Sequence, residues 1–174
     1  MAKTPNRFGG GAKTTRNGLS FEGRADLRDA IHSHPDYRLD QQERVIDKNG
    51  EIVAQYFEKH GLYRKFLEPN GVDWKDCISS KLLPDSALLV GETMYIIEKK
   101  YQEQPGSVDE TLQTCVFKKR QYKKLLNQAG VSVQYCYVMN DWFDHPRYDD
   151  VLEFIEESGC YYYFNEVPLE DIGM

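Results

Sequence analysis

The sequence predicts an α/β fold, a mixed central β-sheet flanked by helices. Three observations predict it. Two apolar strands meet at a tight turn within residues 83–100. A helix-length segment follows them and leads into a short run rich in β-branched and aromatic residues. Strand-like and helix-like stretches alternate along the rest of the chain, with no repeat and no internal linker. With 174 residues, 40% of them hydrophobic and 29% charged, the chain suits one soluble domain with a real core. No apolar run approaches the ~18 residues of a membrane span, and the N-terminus lacks the apolar stretch of a signal peptide. A cytoplasmic protein that touches no membrane is therefore expected. The four cysteines (Cys77, Cys115, Cys136, Cys160) are scattered without a CxxC, which fits free thiols in a reducing compartment.

The elements follow in order. Residues 1–17 are polar, basic and Gly-rich, and read as a flexible arm ahead of a single domain over 18–174. A helix is expected from Gly18 to about His32, with Leu19, Ala25, Leu27, Ala30 and Ile31 as apolar positions and His34-Pro35 as its stop. Tyr37–Val45 and Glu51–Phe57 read as strands around the turn signal Lys48-Asn49-Gly50. Glu58–Leu67 reads as a short helix stopped by Glu68-Pro69-Asn70-Gly71. A turn-rich passage, 73–81, precedes the 83–100 hairpin. Ser107 and Glu110 have capping-box spacing and open a helix to about Leu126. Val131–Met139 reads as a buried strand, Asp150–Glu157 as a helix and Cys160–Phe164 as a last strand.

The hairpin carries the chemistry. Leu83–Val90 and Thr93–Lys100 flank Gly91-Glu92, and Gly at the first central position of a two-residue loop is what a type II′ turn requires. Residues whose numbers sum to 183 then face each other, so Asp85 opposes Glu98, with Cβ atoms roughly 5 Å apart. Lys100, two residues past Glu98, projects from the same face. Two opposed carboxylates at the end of an apolar hairpin repel unless a cation joins them. Hard oxygens and few ligands suit Mg²⁺, which keeps several waters and draws on substrate phosphate. A lysine beside the ion can serve a water and offset charge on a phosphate.

The charges are unevenly spread. Net charge is −6, yet residues 1–20 carry Lys3, Arg7, Lys13 and Arg16 with no acid, and Lys118, Lys119, Arg120, Lys123 and Lys124 cluster on one segment. From Asn140 onward the only Lys or Arg is Arg147. A basic face opposite an acidic one suits a protein that grips DNA in one groove. At ~100° per residue, Lys119 and Lys123 share a helix face while Lys118 turns away from Lys119, so Lys119 and Lys123 are the expected phosphate contacts. His32-Ser33-His34 reads as loop histidines rather than a metal site.

Pro84-Asp85 with Glu98-Lys99-Lys100 resembles the PD-(D/E)xK nuclease superfamily. Gly106-Ser107-Val108-Asp109-Glu110, just after that lysine, is similar to a helix start in its type II restriction endonucleases. The likeness covers mainly 17–32 and 83–126. It implies a restriction-endonuclease-like core in which Asp85 and Glu98 ligate Mg²⁺, Lys100 serves the attacking water and Glu22, from the first helix, completes the site. It further implies double-stranded DNA as substrate and a homodimer. Gly106 and Ser107 at a helix N-terminus would hold a phosphate, and Gln102 would touch phosphate or base edges. Lys119, Lys123, Lys13 and Arg16 would contact the backbone. A structure-specific repair, recombination or phage nuclease, and a silent binding domain on the same fold, remain alternatives.

Overall fold

A computed structural model describes residue 21 and residues 23–174. The predicted arm, 1–17, and with it Lys13 and Arg16, lie outside the described residues, as does Glu22.

The described residues form a seven-stranded sheet in which spatial order equals chain order. Its strands are β1 (Tyr37–Leu39), β2 (Arg44–Asp47), β3 (Ile52–Phe57), β4 (Ser86–Val90), β5 (Thr93–Lys100), β6 (Ser132–Met139) and β7 (Tyr161–Phe164). β1 to β5 pair antiparallel; β5–β6 and β6–β7 pair parallel. The sheet is thus mixed, as expected, and its parallel half needs crossover connections. The helices are α1 (Leu27–Ser33), α2 (Val108–Thr111), α3 (Cys115–Leu126) and α4 (Asp149–Glu157).

Strand alternation divides the core into two layers. Ala87, Ile96, Tyr135, Tyr137 and Met139 pack on one face with Tyr122, Leu125 and Leu126 of α3 and Ile155 of α4. Leu88, Ile97, Cys136 and Val138 pack on the other with Leu27 and Ile31 of α1 and with Leu169 and Ile172 near the C-terminus. Helices therefore flank both faces. No helix among the described residues is long and apolar enough to cross a membrane. All four cysteines are free.

Several expected elements are interrupted, each by an identifiable side chain. The first helix breaks at Asp26, whose carboxylate accepts the Arg28 N–H at 2.9 Å and caps α1. The strand expected over Tyr37–Val45 splits into β1 and β2. Asp40 Oδ1 accepts the N–H groups of both Gln42 and Arg44, and Glu43 takes a left-handed φ of 64°. The helix expected from Glu58 is helical only from Gly61, and Tyr63–Leu67 forms a wide turn in which Glu68 N–H reaches Tyr63 C=O. The helix expected over 107–126 is broken at 112–114. There the Thr111 and Thr114 hydroxyls donate back to Val108 C=O (2.8 Å) and Thr111 C=O (2.7 Å). The capping box does not form: Ser107 is itself in helical conformation and its side chain makes no cap bond. An N-cap needs extended backbone for its oxygen to reach back.

Candidate active site

The β4–β5 hairpin has the expected register. Ser86 pairs with Ile97, Ala87 with Ile96 and Val90 with Thr93, so opposed numbers sum to 183. Gly91 takes a φ of 56° while Glu92 stays at negative φ, the combination of a type II′ turn. β4 begins at Ser86 rather than Leu83. Pro84 has no N–H to give the ladder, and its carbonyl accepts the Lys59 N–H at 3.0 Å instead. Asp85 then sits just past the ladder and uses its side chain in place of its backbone, with Oδ2 accepting the Lys99 N–H at 2.9 Å.

Parity decides what each neighbour does. Glu98 and Lys100 follow Ile96 onto the α3 face, where Lys100 Nζ lies 3.7 Å from Glu98 Oε2. Lys99 follows Ile97 to the opposite face and pairs with Asp26 at 3.1 Å. Two further ammonium groups converge on the carboxylates. Lys59 Nζ stands 2.5 Å from Asp85 Oδ1, and Lys118 Nζ, from α3, 3.2 Å from Glu98 Oε2. Glu98 and Lys100 side chains are only 11% and 15% exposed, so these two charges meet in a shielded cleft, whereas Lys59, 56% exposed, reaches Asp85 from the solvent side.

Electrostatics follow from that crowding. Burial acts to raise the Asp85 pKa, but the Lys59 hydrogen bond, the Lys99 N–H and the charges of both lysines outweigh it and hold the carboxyl below its ordinary range. Burial lowers the Lys100 pKa and the Lys118 charge lowers it further, against the pull of Glu98 and Asp85. Near Glu98 lie Tyr122 and Tyr135, both fully buried, and the Tyr122 hydroxyl has no hydrogen-bond partner. Burial first, and the Glu98 charge next, push both phenols upward.

Other expected contacts lie elsewhere. Gln102 is 6% exposed and is part of the scaffold: its N–H and C=O are tied to Asn140, and its Nε2 donates to Asp109 Oδ1 at 2.9 Å. Asp109 is also held by Tyr148 and Arg147. Gly106 and Ser107 are exposed at the start of α2, a helix of four residues. Lys119 donates to the Gly159 carbonyl beyond the end of α4, and Lys123 is exposed. Of the basic residues on α3, Lys118 rather than Lys119 reaches the cleft. The sequence holds a signal for this, because Lys118 shares helical spacing with the buried Cys115, Tyr122 and Leu125. No sequence signal marks Lys59, which reaches Asp85 from a left-handed backbone position (φ 45°) after β3.

The donor set fits a hard divalent cation. Asp85 Oδ1 and Glu98 Oε2 each hold lysine ammonium groups, so both oxygens already stand where a cation is favoured. Among the described residues no third His, Cys, Asp or Glu joins them. Neither the protein-family models nor the curated proteins nor the solved structures contain a match to this chain.

Proposed function

We propose that this chain is a Mg²⁺-dependent DNA endonuclease, acting as a homodimer on a short duplex site in the manner of type II restriction enzymes. The observation that carries the reading is Asp85 and Glu98 at the mouth of one hairpin, each one residue beyond the last ladder pair, Ser86–Ile97, with Lys100 beside Glu98. Asp85 and Glu98 would hold the ion, which when bound supplies positive charge to the attacked phosphate and acidifies a water. The chain's own groups do the rest. The Lys100 ammonium orients the attacking water through its N–H donors, and burial, which lowers its pKa, eases any proton movement through it. Ammonium groups around the cleft meet the charge that builds on the phosphoryl oxygens. In-line attack leaves a 5′-phosphate and a 3′-hydroxyl. One such site cuts one strand, so cutting both calls for a second copy on a twofold-symmetric target.

The test is incubation with Mg²⁺ and plasmid DNA, followed by sequencing of the ends. Discrete fragments with 5′-phosphates, lost in Asp85→Asn and Glu98→Gln, support the reading. Cleavage of forks or junctions alone would replace restriction with a structure-specific role. Intact DNA of every form, with binding retained, would overturn catalysis altogether.

A further inference from the structure

Lys118 approaches Glu98 more closely than the lysine of the motif does, at 3.2 Å against 3.7 Å. Its side chain is 23% exposed and emerges from the buried face of α3. A lysine held there loses rotamer freedom and hydration, so its position needs a reason. The charges in the cleft supply one. Two ammonium groups, Lys100 and Lys118, face the single carboxylate of Glu98. A divalent cation on Glu98 adds two positive charges and takes the carboxylate that Lys100 and Lys118 share. The only anion the reading brings to the cleft is a phosphodiester.

We propose that Lys118 is a further binding residue of the site with two successive partners: Glu98 in the free protein, and a DNA phosphate oxygen once a divalent cation holds Glu98. The inference rests on the nuclease reading above. It assigns Lys118 two measurable effects of opposite sign. The ammonium competes with the cation for Glu98, so it weakens metal binding to the free protein. It also contributes one phosphate contact, so it strengthens DNA binding. A residue that only packed α3 on the sheet would do neither.

The experiment uses the full chain without DNA for one arm and with DNA in Ca²⁺ for the other. Mn²⁺ is titrated into the parent, Asp85→Asn, Lys118→Met, Lys118→Arg and Lys124→Met, and free Mn²⁺ is read by electron paramagnetic resonance. Lys118→Met keeps the aliphatic stem, Lys118→Arg keeps the charge, and Lys124→Met removes an equal charge from an exposed position on α3. Lys118→Met should bind Mn²⁺ about fivefold more tightly, the scale of one partly shielded ion pair. In Ca²⁺ its DNA affinity should fall, and the slope of log K against log salt should flatten by about one. Lys118→Arg should match the parent in both arms, and Lys124→Met should leave Mn²⁺ affinity unchanged. An unchanged Mn²⁺ affinity in Lys118→Met, or an unchanged salt slope, overturns the proposal. Mn²⁺ binding that survives Asp85→Asn undiminished overturns the nuclease reading itself, and Lys118 with it.

Discussion

Asn140 offers the sharpest structural test of how the site is held. The parallel β5–β6 ladder ends at Lys100 opposite Met139. One residue further, Asn140 continues it with a side chain: Oδ1 accepts the Gln102 N–H at 3.1 Å and Nδ2 donates to the Gln102 C=O at 2.8 Å. Its own N–H reaches the Lys100 C=O at 3.3 Å. Asn140→Ala removes both side-chain bonds and leaves two backbone groups of a 6%-exposed residue without partners. Each bond contributes about 1 kcal/mol if water can replace it and about 2 kcal/mol if it cannot. The expected loss is therefore about 2–4 kcal/mol, a large part of a domain's stability. Asn140→Asp separates the two halves of the clamp, because it keeps the acceptor and loses the donor. Urea unfolding followed by circular dichroism gives the total. Hydrogen exchange at the Gln102 amide reports whether the end of the Lys100 strand has loosened. A change below about 0.5 kcal/mol, with unaltered Gln102 exchange, would refute the reasoning.

Four more outcomes are expected. Lys100→Met should lower cleavage by about 100-fold or more while DNA binding in Ca²⁺ persists; turnover within about tenfold of the parent counts against its role on the water. Cleavage should stop in a chelator and return with Mg²⁺, since both anionic ligands need a cation to bring phosphate near; full activity in chelator removes the two-carboxylate site. Tyr122→Phe should be neutral or stabilise by about 1 kcal/mol, because it deletes a buried hydroxyl with no partner; a clear drop in thermal midpoint would mean that hydroxyl is bonded in solution. Stability should fall as pH rises from about 8.5 toward 12. Burial holds Cys136, Tyr63 and Tyr137 up to about 12, so the folded chain keeps protons that the unfolded chain releases. Lys100, with its lowered pKa, works in the opposite direction but is one group against several. A urea midpoint that stays level between pH 9 and 11 would contradict this.

What the sequence revealed is what backbone periodicity controls. A Gly-led two-residue turn fixes the register, and a period of two fixes the face, so the spacing of Asp85, Glu98 and Lys100 relates them directly. What it concealed depends on single side chains that bind nearby backbone. Asp26 and Asp40 turn a helix and a strand aside with one or two hydrogen bonds each, and the Thr111 and Thr114 hydroxyls separate α2 from α3 in the same way. Propensity sums do not register such events. Lys118 was readable in principle, as a charge at a buried helical position, but a cluster of neighbouring basic residues masked it. Lys59 was not, because its partner lies 26 residues away across a loop.

The hairpin also implies an order of assembly. Asp85 and Glu98 are separated by twelve residues and one tight turn, and hairpins of that kind close in about 1–10 μs. Lys59 and Lys118 arrive through longer loops, from before β4 and after β5, and the crossover that brings α3 over the sheet also has to lay β6 parallel to β5. The nascent hairpin would thus hold two like charges face to face until those lysines dock. The site's own repulsion then works against premature closure and favours chains in which both flanking segments have already found their places.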